Sequence, residues 1–262
     1  MGLEEARARA EMLARAAGEI ARRGFVRGIA QQLKDDASPV TEIDLAINRL
    51  VIETLIEHYP EYGILGEEES RLAPGQTHLW VCDPLDGTIP FAHGLPTSAF
   101  SLALVVDGKP QVAVAYDFHL DRMLTAVRGH GTRLNGEPVA VSSAPLRGSV
   151  VDMEGIWTRA LPGAPGIDRL PHTLEAEGAR GLKIGSTVYA GMLVATGQIG
   201  ALVTRGDKPW DIAAITLLVE EAGGTVTDLS GTPVRCDGPG AGAIFAPPHL
   251  HASLLAAVHR VA

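Results

Sequence analysis

Leu79-Trp80-Val81-Cys82-Asp83-Pro84-Leu85-Asp86-Gly87-Thr88 opens as an apolar run and closes as a cluster of oxygen donors. Its first four residues read as a buried strand. Two carboxylates, Asp83 and Asp86, then leave the strand end together, with the Leu85 carbonyl between them. Oxygen-only donor sets suit hard cations such as Mg2+, which often share their coordination with a substrate phosphate. The N–H groups of Gly87 and Thr88 follow, placed to meet an anion. The stretch points to metal-assisted phosphate chemistry on a fold that mixes buried strands with helices.

On its N-terminal side, residues 3–23 are predicted as an amphipathic helix, with Leu3, Leu13 and Ile20 opposite Glu and Arg. Lys34-Asp35-Asp36-Ala37-Ser38-Pro39 reads as a polar loop. Thr41 opens a second helix to about Tyr59, with Ile43, Ile47, Leu50, Val51 and Leu55 at helical spacing and Pro60 as its stop. On the C-terminal side the pattern changes to strands over 99–106, 111–116 and 122–128, with Asp107-Gly108 and Asn135-Gly136 as hairpin turns. The stretch 144–178 is rich in Pro and Gly and shows no clear period, and a soft boundary falls near 145. Strands at 182–184 and 201–204 flank a helix at 187–196. A helix from Asp211 to about Ala222 ends on Gly223-Gly224, strands follow at 225–228 and 243–246, and a last helix starts at His249. Helices and strands come in blocks, which predicts an α+β fold in layers. The expected organisation is one compact catalytic unit with an N-terminal half, 1–144, and a C-terminal half, 145–262.

The 262 residues suffice for a large core, and 46% apolar with 20% charged content is that of a globular protein. A net charge of −9 argues against a nucleic acid polymer or an anionic membrane as partner. Cys82 and Cys236 lack zinc-type spacing, and reduced thiols in a cytoplasmic protein are the plain expectation. Met1-Gly2-Leu3-Glu4-Glu5 does not read as a secretory signal, Ala6 does not suit a myristoylation site, and no apolar run reaches membrane-spanning length.

Further acids stand out. Asp44 lies one turn into the second helix, Glu67-Glu68-Glu69 follows Gly66 in a loop, and Asp211 follows Pro209-Trp210. Each has a bland reading. Thr41-Glu42-Ile43-Asp44 fits a capping box. Asp211 fits an N-cap. The glutamates fit a solvated charge run, and Asp83 and Asp86 fit a turn. Their joint placement at strand ends and helix starts favours a site, because that is where loops gather. Such a set can supply two or three Mg2+ ions.

Together these motifs resemble the inositol monophosphatase family, within the lithium-sensitive Mg2+-dependent phosphatases. The matching pieces are Ser38-Pro39-Val40-Thr41-Glu42-Ile43-Asp44, Gly66-Glu67-Glu68 and Trp80 to Thr88. Phe91, His93-Gly94, Pro96, Gly129-His130-Gly131 and Asn135-Gly136 follow. The series continues with Gly185-Ser186 and Val194-Ala195-Thr196-Gly197. It closes with Pro209-Trp210-Asp211-Ile212-Ala213-Ala214 and Glu221-Ala222-Gly223-Gly224, all in family order. The resemblance implies an α-β-α-β-α sandwich of the sugar-phosphatase type, usually a homodimer. It implies Glu67, Asp83, the Leu85 carbonyl, Asp86 and Asp211 as metal ligands. Glu67 would also count among the catalytic residues with Asp44 and Thr88, which would orient the attacking water. The N–H groups of Gly87 and Thr88 would hold the phosphate. The implied reaction is hydrolysis of a small phosphate monoester by metal-activated water, as in inositol-1-phosphatases.

The chain departs from the family pattern in three places. Pro90 stands where the family usually has Asn, so the loop beside the acids is expected to be altered. Thr204 stands seven residues before Asp211, where animal inositol monophosphatases carry a glutamate that contacts inositol hydroxyls. Gly185-Ser186 is followed by Val188 and Tyr189 rather than small residues, and Tyr189 is expected to pack a helix. Gly185, Ser186, Thr204, Arg205 and Lys208 are therefore the candidate specificity residues, and histidinol phosphate, fructose-1,6-bisphosphate and adenosine 3′,5′-bisphosphate are alternative substrates. His93, which resembles a family position near the site, reads as structural or as a support just outside the site. A phosphatase with an aspartyl nucleophile would need acids two apart, and Asp83 and Asp86 are three apart. A non-catalytic, metal-dependent scaffold on the same fold is the alternative from another class.

Overall fold

The computed structural model describes residues 2–25, 29–33, 39–72, 74–156 and 166–261. The loop expected at Lys34–Ser38, the start of the 38–44 motif and the middle of the 144–178 stretch lie outside the described residues. The chain opens with α1 (Leu3–Gly24), the short strands β1 (Gln32–Leu33) and β2 (Pro39–Val40), and α2 (Glu42–His58). Strands β3 (Gly63–Gly66) and β4 (His78–Asp86) lead into the short helix α3 (Thr88–Ala92). A meander follows through β5 (Ala99–Val106), β6 (Lys109–Asp117), β7 (Arg122–Val127), β8 (Thr132–Leu134) and β9 (Glu137–Pro138). Next come β10 (Val150–Glu154), a 3-10 turn at Ile167–Arg169, α4 (Leu170–Ala176), β11 (Arg180–Leu182) and α5 (Thr187–Ala195). The chain closes with β12 (Ala201–Thr204), α6 (Pro209–Glu221), β13 (Thr225–Asp228), β14 (Ala243–Ala246) and α7 (Pro248–Val261).

Among the described residues a seven-stranded sheet runs β3-β4-β5-β6-β7-β8-β9, and a five-stranded sheet runs β11-β10-β12-β14-β13. Both are mixed: β3 with β4, and β10 with its two neighbours, pair in parallel, and the remaining pairs are antiparallel. Helices α1 and α2 cover the outer face of the larger sheet, α5 and α6 fill the space between the sheets, and α4 and α7 cover the outer face of the smaller one. The result is the α-β-α-β-α layering expected above.

Local chemistry accounts for these elements. Helix α1 carries Glu4 and Glu5 in its first turn and Arg22 and Arg23 in its last, complementing the helix dipole. Its buried face is mostly Ala, with Leu13 and Gly18. A Cβ on Gly18 would lie 2.4 Å from the Tyr116 ring, so glycine sets how closely α1 approaches the sheet. Asp107-Gly108 and Asn135-Gly136 have positive φ at both residues, as hairpin turns with a right-handed strand twist require. Cys82 and Cys236 are buried free thiols. No helix among the described residues is long and apolar enough to cross a membrane.

Several boundaries differ from expectation. The strand expected over 79–82 starts at His78 and continues through Asp86. The strand expected at 182–184 is instead β11 at Arg180–Leu182. The unread 144–178 stretch contains β10 and α4. Helix α6 starts at Pro209, two residues before Asp211, because proline suits the first helical position, where its missing N–H costs nothing. Pro90 likewise sits in the first turn of α3, so it leaves that helix intact.

Candidate metal centre and active site

Residues three apart on a regular strand face opposite sides of the sheet. Asp83 and Asp86 escape this through a register shift. Asp83 pairs with Ser101 and Asp86 with Ala99, so β4 carries one more residue than β5 between the two pairings. That bulge turns both acids to one face. Pro84 lies within it, where the ladder is interrupted and a missing donor is tolerated. The Leu85 N–H donates to Asp83 Oδ1 at 2.9 Å, bracing the turn from inside.

Asp211 completes the group. It is the third residue of α6, and its Oδ2 accepts the Lys208 N–H at 3.0 Å. Its place as the N-cap itself, expected from sequence, falls to Lys208. Oxygens of Asp83, Asp86 and Asp211 all lie within 4.8 Å of one another. Glu67 leaves β3 beside them: Gly66 pairs with Cys82 in the parallel ladder, and the Glu67 N–H donates to the Cys82 carbonyl at 3.2 Å. Glu67 lies outside that tight group, but its charge acts on all three acids and on Asp44. A Cβ on Gly66 would sit 2.5 Å from the Glu69 carbonyl and 2.7 Å from Asn48 Oδ1, so the turn that aims Glu67 admits only glycine.

The electrostatics follow from crowding. Burial, then the charges of Glu67, Asp86 and Asp211, hold the Asp83 carboxyl well above its usual range, against one favourable bond from the Leu85 N–H. Burial also lifts Asp86 to about 7, opposed by Ser186 and the Val188 N–H and reinforced by Glu154 and Glu67. Asp211 is pushed well up by burial and then by Asp86. Buried carboxylates aimed at one another are costly unless a positive charge joins them. The donors are all oxygens, as Mg2+ prefers, and the Leu85 carbonyl lies between two of them in sequence. The residues present fit a divalent cation.

Asp44 stands apart from this group. Its Oδ2 accepts the Thr41 N–H at 2.8 Å and the Thr41 hydroxyl at 2.5 Å, so the capping box of α2 is real. Its Oδ1 faces Thr88 Oγ1 at 3.2 Å, and that hydroxyl also lies 3.3 Å from the Leu85 carbonyl. Burial raises the Asp44 carboxyl and the Thr41 bonds lower it again. Gly87, just before α3, has φ +86°, and a Cβ there would lie 2.9 Å from the Thr97 carbonyl. The site therefore gathers the N-termini of α2, α3 and α6 around the β4 bulge.

The remaining candidates separate. Ser186 caps α5 and its hydroxyl donates to Asp86 Oδ2, as the Val188 N–H does at 2.6 Å. Gly185 packs against Pro90, whose Cγ a Cβ there would meet at 3.2 Å. Thr204 is buried, and its hydroxyl is engaged by the backbone of Ala243, donating to its carbonyl at 3.3 Å and accepting its N–H at 2.9 Å. Thr204 also hydrogen-bonds the buried Asp207, whose charge acts on Asp211. Lys208 is exposed and Arg205 half-exposed at the start of α6. Tyr189 packs against the central core, and His93 caps its own helix through Ile89.

Sequence reasoning passed over Asp152 and Glu154. They lie on β10, and they accept the N–H groups of Ile184 at 2.9 Å and Gly185 at 2.5 Å. The signal was present in Val150-Val151-Asp152-Met153-Glu154, where acids alternate with apolar residues at strand period.

Comparison with known proteins agrees with this geometry. The family description "Inositol monophosphatase family" matches residues 3–262. The Nus factor SuhB of Escherichia coli K12 is 36% identical over 193 residues, covering 73% of this chain and 72% of that protein. The histidinol-phosphatase of Chlorobaculum parvum is 35% identical over 231 residues, covering 87% of each chain. The solved inositol monophosphatase of Anabaena superposes with a TM-score of 0.86 at 28% identity, covering 100% of this chain and 98% of that one.

Proposed function

The chain belongs to the inositol monophosphatase family, and on that premise we propose that it is a Mg2+-dependent phosphomonoesterase acting on a small phosphorylated metabolite. The observation that carries this reading is the convergence of Asp83, Asp86 and Asp211 within 4.8 Å, beside a Thr88 hydroxyl aligned with Asp44. Glu67, Asp83, the Leu85 carbonyl, Asp86 and Asp211 would hold the ions, two or three in number. Bound there, the ions would neutralise the phosphate dianion and supply Lewis-acid chemistry.

The chain's own groups do the rest. Asp44 Oδ1 orients the Thr88 hydroxyl, which orients a water for in-line attack, and the Asp44 carboxylate is the nearby base for its proton. The N–H groups at the start of α3 have no carbonyl one turn behind them, so those of Thr88 and of Gly87, the cap residue, would serve a phosphate oxygen. The alcohol portion is first a polyol such as inositol-1-phosphate. Histidinol phosphate comes next, on the likeness to the Chlorobaculum enzyme. The working form is proposed as a cytoplasmic homodimer. A second reading, a non-catalytic factor on this fold, is favoured by similar proteins named as Nus factors. The retained acids favour catalysis.

Phosphate release is the test. Inositol-1-phosphate, histidinol phosphate, fructose-1,6-bisphosphate and adenosine 3′,5′-bisphosphate are each assayed with Mg2+, with and without Li+. Release from at least one substrate is expected, abolished in Asp83→Asn. Folded protein that releases phosphate from none of them overturns the enzymatic reading in favour of the factor.

A further inference from the structure

Asp86 is held by a segment that is itself held from behind. Ser186 Oγ and the Val188 N–H both donate to Asp86 Oδ2, and Ser186 Oγ also accepts the Tyr189 N–H at 3.1 Å. The same segment donates backward, from Ile184 N–H to Asp152 Oδ2 and from Gly185 N–H to Glu154 Oε1. Gly185 has φ +83°, and this turn lets consecutive N–H groups aim at β10 before the chain enters α5.

Asp152 and Glu154 are two apart on β10 and share one face. Their neighbours Val151 and Met153 pack on the other face, in the outer core with α4 and α7. The acids therefore point into the inner layer, toward the start of α5. Asp152 is fully buried, and its Oδ1 has no hydrogen-bond partner among the described residues. Burial, with the charge of Glu154 beside it, lifts the Asp152 carboxyl to about 8. A buried aspartate with a half-buried glutamate beside it is an expensive way to fill a strand face that valine would fill well. Two backbone N–H groups in a turn, which no strand or helix satisfies, give the pair its use.

We propose that Asp152 and Glu154 are positioning residues: by fixing the 184–188 segment they fix the rotamer of Asp86, and so set the affinity of the site for its cation. Asp86 then presents Oδ1 to the metal group while Oδ2 is occupied by the segment. This rests on the metal-centre reading above. Groups that orient a metal ligand typically change metal affinity about 10- to 100-fold when removed.

Mg2+ alone is the probe, titrated into the full-length protein and followed by tryptophan fluorescence, because Trp210 adjoins Asp211. Glu154→Gln keeps an oxygen for the Gly185 N–H, and Glu154→Ala removes it. Both lose the same charge. The half-saturating Mg2+ concentration is expected to be about tenfold higher in Glu154→Ala than in Glu154→Gln. Combining Glu154→Ala with Ser186→Ala should add less than the sum of the two changes, because both act on Asp86. Asp152→Asn should stay near wild type while Asp152→Ala follows Glu154→Ala, which keeps the question open to test should one variant fold poorly.

Equal Mg2+ responses of the Gln and Ala variants overturn the proposal. So does a change confined to substrate KM, which would make Glu154 a substrate contact instead. A wild-type protein that does not respond to Mg2+ removes the metal centre itself, and with it both readings. A wild-type response with indistinguishable variants removes only this one.

Discussion

The N-termini of α2 and α6 are built alike and used differently. Each places an aspartate at the third helical position, and each aspartate reaches back to the N–H of its cap residue, Asp44 to Thr41 and Asp211 to Lys208. The caps differ in their side chains. Thr41 adds a hydroxyl to Asp44 Oδ2, and Thr88 approaches Oδ1, so three protein donors surround that carboxylate. Lys208 contributes only its backbone N–H. An oxygen of Asp211 lies within 4.8 Å of oxygens of Asp83 and Asp86. Burial raises both carboxyls, and Asp211 goes well above the usual range with the Asp86 charge beside it, while the Thr41 bonds oppose the rise at Asp44. On the reading proposed above, what would sort a water-orienting acid from a metal ligand is the count of protein donors around it, not its place in the helix.

Isosteric substitutions test that distinction most severely. Asp211→Asn keeps an oxygen for the Lys208 N–H, so α6 should stay capped while the charge facing Asp83 and Asp86 is lost. A kcat loss of roughly 10^3-fold at fixed Mg2+ is expected, equivalent to about 4 kcal/mol of transition-state stabilisation. Asp44→Asn likewise keeps its cap. It should cost about 10^2-fold, the lower range for a proton-handling group, with the Mg2+ requirement little changed. Steady-state kinetics across a Mg2+ series separates the two. Equal losses, or a large Mg2+ shift in Asp44→Asn alone, would break the donor-count argument.

Much of this site was legible because its pieces are local. The apolar run before Asp83, the capping box at Thr41 and the Gly66-Glu67 turn all reside in short stretches, and the structure joins them. The unread parts depend on partners far along the chain. Asp83 and Asp86 would face opposite ways on a regular strand, and only the pairing with β5 reveals the bulge that unites them. Ile184 looks like a strand end. The chain turns there to hand its N–H to Asp152, so β11 stops two residues early. Strand β10 hid in a stretch whose Pro and Gly content suggested loop. Thr204 was singled out from its offset to Asp211, and its bonds to Ala243 depend on a neighbouring strand that the offset does not reveal.

The cation-free protein offers a smaller, broader effect on the same contrast. Asp86 is lifted from 3.8 to about 7 and Asp152 to about 8, with Asp83 and Asp211 well above their usual range. The folded protein therefore holds more protons than the unfolded chain above pH 3.8, and stability falls as pH rises. His119, lowered from 6.5 to about 4 by burial, and His251, also lowered by burial, act oppositely, but their contribution to this pH dependence fades as pH passes 6.5. Between pH 6.5 and 8 the carboxylates should dominate, and the Tm in chelator should fall. Mg2+ at about 100 times its Kd should restore about 2.7 kcal/mol at the top of that window. A Tm that climbs from pH 6.5 to 8 without cation, measured by scanning calorimetry, would contradict the crowding argument.

Thr41 gives the finest test, because it is the residue by which the two helix starts differ. Thr41→Ala removes the hydroxyl that donates to Asp44 Oδ2 and accepts the Ile43 N–H, and leaves the backbone bond in place. Loss of such a cap costs about 1 kcal/mol, read from urea denaturation. The same change leaves Asp44 with fewer donors, closer to the condition of Asp211. Its carboxyl should rise further, since the Thr41 bonds are what hold it down against burial. The acidic limb of the kcat profile should therefore move to higher pH. Thr41→Ser restores the hydroxyl without the methyl and should return both the stability and the limb. A stability loss with no movement of the limb would mean that Thr41 only caps α2, and that Asp44 owes its separate role to Thr88 alone.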